Sequence, residues 1–406
     1  MTIIKSLKSG DIYTVFAAFL YLCISFMAWV SLSPLMIYIT KDIDVSTETR
    51  LRLSALAVVS GSLLRIPIGS IADKIGTKAT GIMVQCITLV SVITVYFIGL
   101  KSCRDISIFA LCLGFSGASF AVALPQAGRW YSKKNQGLIL GIVGAGNMGV
   151  AFNALYAPYI AEYYDWQLNY GILGAALGVT LLIYIFLAQD APIVRKQVQP
   201  NDYVGVITGN RGRLYMFLYF ITFGGFVGLS SSLPTLFNSQ YHINGIVSGI
   251  LAAVTIFVGS IARPIGGYLA DKRGGTLVLN NLLFLISLSY ALLSTINFSS
   301  FMQSDGSSHI FIGPIVSALL FTISSFFLGM GNGAVFQQIG QIFQFNIGAA
   351  TGIVGAAGGI GGYFLADVLA RSREQTGNFG YGYASLCILA LIGLICLKFR
   401  AKDMHS

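Results

Sequence analysis

The sequence predicts an all-α membrane protein of twelve transmembrane helices arranged as two six-helix halves, and three observations carry that prediction. The first is composition: 55% of the 406 residues are hydrophobic and 10% are charged, with a mean hydropathy of +0.76, whereas a soluble domain carries about 25% charged residues. Such a chain cannot hide its apolar mass in a globular core, and the lipid bilayer is the partner that can cover it. The second is a series of twelve apolar segments, each about 20 residues or longer, as a bilayer span requires. The third is an internal repeat. GSLLRIPIGSIADKIG at 61–76 returns, ungapped and 198 residues later, as GSIARPIGGYLADKRG at 259–274. Gly61, Ser62, Arg65, Gly69, Ala72, Asp73, Lys74 and Gly76 then fall on Gly259, Ser260, Arg263, Gly267, Ala270, Asp271, Lys272 and Gly274. An offset of about half the chain length means two copies of one unit.

In chain order the spans run over about 13–38, 51–72, 77–100, 106–129, 135–161, 167–189, 213–239, 244–270, 276–298, 310–336, 347–370 and 378–400. Lys5 and Lys8 precede the first without a small-residue cleavage site, so it reads as a span that stays rather than a removed signal. Residues 1–190 make the first half and 213–406 the second, with the polar stretch 191–212 as a linker on the cytoplasmic membrane surface. Lys and Arg set the orientation. With both termini in the cytoplasm, sixteen of the 25 fall on the cytoplasmic side and seven outside, leaving the two mid-span arginines. This bias accounts for the net charge of +10, which in a soluble protein would point to nucleic acid; no nucleic-acid partner is expected. The six cysteines, at 23, 86, 103, 112, 387 and 396, show no metal or redox spacing and read as small hydrophobes. Glycine is abundant, with 47 residues against a typical ~7%, as suits helices that pack closely in lipid.

The residues that carry chemistry begin with Arg65 and Arg263. Each lies eight residues before the Asp of its repeat, about 12 Å into the helix at ~1.5 Å per residue. A lone arginine near the bilayer centre costs at least roughly 2.5–3.5 kcal/mol on insertion scales. One reading is structural: each guanidinium is paired with an acid or with backbone carbonyls. The other is functional. No Asp or Glu lies mid-span, since Asp73, Asp271, Glu162 and Asp367 sit at helix ends or in loops, so the counter-ion would be the substrate. A planar donor fork suits a flat oxyanion. Gly61, Arg65 and Gly69 share a helix face at steps of four, as do Gly259, Arg263 and Gly267.

Two glycine-rich stretches follow, GIVGAGNMGVAFN at 141–153 and GIVGAAGGIGGYF at 352–364. Gly352, Gly355, Gly359 and Gly362, with Gly358 among them, form a bare ridge, and Gly141, Gly144 and Met148 begin the same pattern, with Asn147 and Gly149 beside them. Close helix packing explains such a ridge; exposing backbone to a small ligand is the functional alternative. Tyr219 and Phe223 share a face at i, i+4, which as a bare aromatic stripe is core. The histidines, 242, 309 and 405, fall in loops or the tail, so none stands out as a proton relay.

Two six-helix halves, with Gly69-x-x-x-Asp73-Lys74-x-Gly76 after span two and Gly267-x-x-x-Asp271-Lys272-x-Gly274 after span eight, resemble the major facilitator superfamily over the whole chain. The paired glycine signatures and the arginine in each of spans two and eight narrow the resemblance to its nitrate/nitrite porters. LGFSGASF at 113–120, LYFITFGGFVG at 218–228 and LGMGNGAVFQQI at 328–339 are similar to spans four, seven and ten of that family. The resemblance implies a transporter rather than an enzyme, with no cofactor. Its substrate would be a small inorganic anion, nitrate or nitrite, held by Arg65 and Arg263, sandwiched by Tyr219, Phe223 and Phe120, and touched by Asn147 and by the glycine walls at Gly144 and Gly355. Asp73 and Asp271, beside Lys74 and Lys272, would be gate residues that brace a neighbouring helix. The sequence departs from the family pattern at GASF, at Gln337-Gln338-Ile339-Gly340, where no proline follows, and at Asn153. The expectation is a monomer in a plasma or bacterial inner membrane. Another small anion or an amino acid is the alternative cargo, and a membrane sensor the alternative class. Proton symport and anion exchange both stay open as the coupling.

Overall fold

The computed structural model describes residues 10–41, 43, 45–192, 200–295, 312–343 and 347–403. Lys5, Lys8, Arg195, Lys196, His309 and His405 lie outside the described residues. Twelve helical spans are present, as the sequence predicts: Ile12–Ile39, Thr47–Ile75, Thr77–Ile98, Cys103–Gly128, Gly137–Tyr163, Trp166–Leu187, Asn210–Tyr241, Gly245–Arg273, Gly275–Thr295, Ile312–Ile342, Ile347–Thr376 and Gly380–Asp403. Several run a turn or more beyond the apolar segments, because charged and polar residues at the ends still continue the helix. Spans ten and eleven, for example, reach Ile342 and Thr376. Within the expected linker, Pro200–Thr208 is a short helix.

Local chemistry sets the span boundaries. Ser46 caps span two by accepting from the Thr49 N–H at 3.2 Å, and Asn244, 198 residues on, caps span eight by accepting from Val247 at 2.9 Å. The last glycine of each repeat has a backbone reason as well. Gly76 and Gly274 are single-residue links between spans two and three and between eight and nine, at φ 106° and 87°, a region that side-chain-bearing residues avoid. Three spans are interrupted. Span one breaks between Trp29 and Leu32, span four at Ser119, and span five passes through a 3₁₀ turn at Ala145–Asn147. These breaks fall beside the two arginines.

Spans one, two, four, five, seven, eight, ten and eleven make the packed interior, with eight against ten and five, and eleven against seven and two. Spans three and six are peripheral, with 33% of each apolar stretch covered by protein. The Ser33 hydroxyl of span one donates to the carbonyl of Ser231 in span seven at 2.8 Å. These two positions are equivalent under the 198-residue offset, so the pseudo-twofold axis passes through that contact.

The two halves touch at both ends of the bundle. At the face opposite the Gly76 and Gly274 turns, spans two and eleven exchange charges. Arg52 reaches Glu374 at 2.9 Å and Asp367 at 3.4 Å, while Arg373 approaches Glu48 at 3.6 Å. At the turn face glycines bring backbones together instead: a Cβ on Gly267 of span eight would lie 2.6 Å from the Gly137 carbonyl of span five.

Candidate anion site

Arg65 and Arg263 meet at the centre of the bundle, 0% and 1% exposed. Their guanidinium carbons share two rings. Arg65 Cζ is 4.6 Å from the Phe120 centroid and 5.0 Å from that of Phe223; Arg263 Cζ is 5.3 and 5.5 Å from the same rings. The break at Ser119 directs Phe120 here, since it restarts the helix of span four at that residue. Phe223 stacks on Tyr219 at 4.9 Å with planes 2° apart, and Phe336 of span ten stands edge-on to Tyr219 at 4.9 Å and to Phe120 at 5.3 Å. A guanidinium against an aromatic face gains about 0.5–2 kcal/mol, the larger value when desolvated.

The polar partners divide unequally. Arg263 donates to the Tyr219 hydroxyl at 2.6 Å and to the Gly144 carbonyl at 3.3 Å. With its amide oxygen facing the guanidinium, Asn147 accepts from Arg263 Nη1 at 2.5 Å and donates to the Gly144 carbonyl at 3.3 Å. Arg65 donates through Nε to the Gly117 carbonyl at 3.1 Å and through Nη1 to the Gly355 carbonyl at 2.6 Å. Its Nη2 is buried without a partner. Among the described residues no carboxylate pairs with either arginine, and backbone carbonyls take that place. Hydrogen bonds from a charged donor are worth about 1.5–3 kcal/mol each, enough to offset the insertion cost of an arginine.

The glycine stretches explain how carbonyls come so close. A Cβ on Gly355 would stand 3.3 Å from Arg65 Cδ, and one on Gly144 would stand 3.2 Å from Arg263 Cδ. Gly352 and Gly141 repeat the relation one turn away, 3.3 Å from the Arg65 and Arg263 carbonyls. Span eleven therefore does for Arg65 what span five does for Arg263. The other ridge glycines serve different neighbours. Gly359 lies against Ser62, Gly358 against Tyr219 and Phe223, and Gly362 against Val227 and Val58. Gly149 turns to span one, against the Cys23 carbonyl.

Arg65, Arg263, Tyr219, Phe223, Phe120, Asn147, Gly144 and Gly355 are thus brought to one place, and the aspartates lie apart from it. Asp73 pairs with Arg129 at the end of span four, 2.5 Å away. Asp271 lies within hydrogen-bonding reach of the Leu138 N–H at the start of span five and of Gln337 in span ten. A Cβ on Gly137 would strike its carboxylate at 2.6 Å. Lys74 and Lys272 are exposed, Lys272 resting 4.6 Å from the Tyr268 ring. Trp29 and Phe26 of span one, with Phe336, are the site aromatics that sequence reasoning missed. The one available signal for Trp29 was a pair of glycines, Gly61 and Gly117, which leave room for a large ring.

Comparison with known proteins identifies the family. The family model described as Major Facilitator Superfamily matches residues 18–366. The "Nitrite extrusion protein" of Bacillus subtilis (strain 168) is 31% identical over 382 residues, covering 93% of this chain and 91% of the relative. The "Probable nitrate transporter NarT" of Staphylococcus haemolyticus is 32% identical over 396 residues, covering 95% and 96%. The "Probable nitrate/nitrite antiporter NarK1" of Thermus thermophilus is 27% identical over 399 residues, covering 93% and 89%. The chain is a multi-pass membrane transporter that belongs to the major facilitator superfamily, among its nitrate/nitrite porters.

Proposed function

We propose that the protein carries nitrate and/or nitrite across the cell membrane by alternating access, one anion at a time held between Arg65 and Arg263. The observation that carries the site is the pair of buried guanidinium groups facing the same two rings, with Arg65 Nη2 left as a free donor. Two cations and, among the described residues, no carboxylate paired with them favour a monovalent anion over a zwitterion, whose ammonium would find no acceptor of opposite charge there. A flat anion can lie between ring faces and accept in-plane from both forks.

The working cycle is a rocking of residues 1–190 against 213–406, with 191–212 as the cytoplasmic linker and the Gly76 and Gly274 turns facing the cytoplasm. The two closures differ in kind, ionic between spans two and eleven on the outer face and glycine-lined between five and eight on the inner one. Asp271 is the inner gate residue, because it reaches from span eight to span five across the seam. Asp73 instead braces Arg129 within its own half. Asp271→Asn is expected to slow turnover severalfold with little change in nitrate affinity, since it acts on the equilibrium between open states. Asp73→Asn is expected to do the same more weakly. Binding in detergent measured beside uptake separates the two quantities. An affinity loss as large as the uptake loss would move Asp271 from gate to site.

The function itself is tested in proteoliposomes offered nitrate, nitrite and formate, with and without a pH gradient and with and without internal anion. The reading predicts saturable uptake of nitrate or nitrite. Acceleration by internal anion identifies exchange; dependence on the pH gradient identifies proton symport. Uptake of neither anion under any condition would overturn it.

A further inference from the structure

Arg65 and Arg263 occupy equivalent places in the repeat, yet they are held by different means. A helical side chain lies over the turn N-terminal to its own Cα, so each arginine points toward the residue four positions earlier, Gly61 or Gly259. Neither glycine has a side chain to fill that turn. At Gly259 the space is taken by Ser325 and the edge of Phe226. At Gly61 it is taken by the indole of Trp29, whose Nε1 lies 2.5 Å from where a Cβ would be. The indole is pinned: its N–H donates to the Ala57 carbonyl at 2.7 Å, one turn above Gly61 on span two. From the other side Gly117 of span four closes the notch, and the three atoms nearest a Cβ there all belong to the indole. Trp29 is fully buried, and its ring centroid is 5.1 Å from Arg65 Cζ.

We propose that Trp29 is the positioning residue for Arg65. Seated in the Gly61–Gly117 notch and anchored to Ala57, the ring fixes the guanidinium so that Nε stays on Gly117 and Nη2 is kept as the donor for the anion. Under the repeat offset the equivalent of Trp29 is Val227, which offers no ring. Arg263 is oriented instead by the Tyr219 hydroxyl and Asn147. The division has a consequence for the cycle. Phe223 and Gly355 belong to the other half and leave Arg65 when the halves part. Ala57, Gly117 and Trp29 travel with it. Arg65 therefore keeps its orientation while the site is open, when an anion must first be caught. This inference rests on the nitrate/nitrite reading of the site.

The test compares wild type with Trp29→Leu, Trp29→Phe and Gly117→Ala, in nitrate binding and in uptake kinetics at saturating nitrate. A positioning role predicts that Trp29→Leu raises the nitrate Kd and KM by about tenfold, the scale of one desolvated cation–ring contact, while kcat changes little. Gly117→Ala, whose added Cβ runs into the indole and displaces it while leaving Trp29 itself unchanged, should shift KM in the same direction. Trp29→Phe keeps a ring and should recover most of the affinity. If Trp29→Leu does not fold, the Gly117→Ala and Trp29→Phe arms decide alone: raised KM in the first with near-normal KM in the second supports the role. Unchanged KM in Gly117→Ala, or a fall in kcat at constant KM in any variant, would overturn it and leave Trp29 as seam packing. Failure of the wild type to bind nitrate is a separate result, which removes the nitrate reading itself.

Discussion

Arg65→Lys is expected to lose nearly all nitrate transport although the charge is kept. The wild-type guanidinium spends Nε on Gly117 and Nη1 on Gly355, 3.1 and 2.6 Å away, and still has Nη2 for a ligand. An ammonium is a single point on a flexible stem. It can reach one carbonyl or the anion, and it cannot lie flat against Phe120 and Phe223. Loss of one charged hydrogen bond costs about 1.5–3 kcal/mol, which is roughly a ten- to hundredfold weaker affinity. Arg263→Lys should behave alike, because Tyr219, Asn147 and Gly144 converge on one guanidinium. Nitrate binding to each purified variant measures this directly, and near-normal affinity in both would contradict the site.

The second large effect is expected at Gly359, where the anion is not touched at all. Its Cα faces Ser62 across the seam between spans eleven and two, and an added Cβ would lie 2.7 Å from Ser62 Cβ and closer still to the hydroxyl. Gly359→Val puts three carbons into that gap. Overpacking a tight seam costs about 1–3 kcal/mol or more, and this seam exists only when the halves are together. The substitution should therefore reduce uptake by at least about tenfold while binding from the open side survives. Gly178→Ala in span six is the control, because no atom lies within 4 Å of a Cβ there, and its transport should match wild type. Normal uptake in Gly359→Val would mean that the seam does not close during the cycle.

How much of this was legible in the sequence depends on the kind of signal. The spans and the repeat were legible because hydropathy and a fixed offset are properties of the linear chain. Arg65 and Arg263 stood out because charge in an apolar run is rare. Gly76 and Gly274 read as motif letters, and the structure supplies their backbone reason. Trp29 and Phe336 were not legible: an aromatic residue in an apolar span looks the same whether it faces lipid, core or a guanidinium. The helix breaks at Ser119 and Ala145–Asn147 have no proline or charge to announce them. The ionic seam was missed for another reason. Arg52 and Glu374 are 322 residues apart; Arg52 entered the topology count as a loop-end cation, and nothing in the linear chain pairs it with Glu374. The backbone carbonyls that serve Arg65 and Arg263 carry no side-chain signature, so only the glycines that admit them could be read.

The central claim is that one anion sits between the two arginines, and the most direct measurement is of proximity. Protein with 13C at arginine Cζ, loaded with 15N-nitrate in lipid, can be examined by solid-state dipolar recoupling. The account predicts recoupling to two arginine carbons, of which Arg65→Lys removes one and Arg263→Lys the other wherever residual loading allows detection. Nitrate that is bound and yet recouples to neither carbon would contradict it.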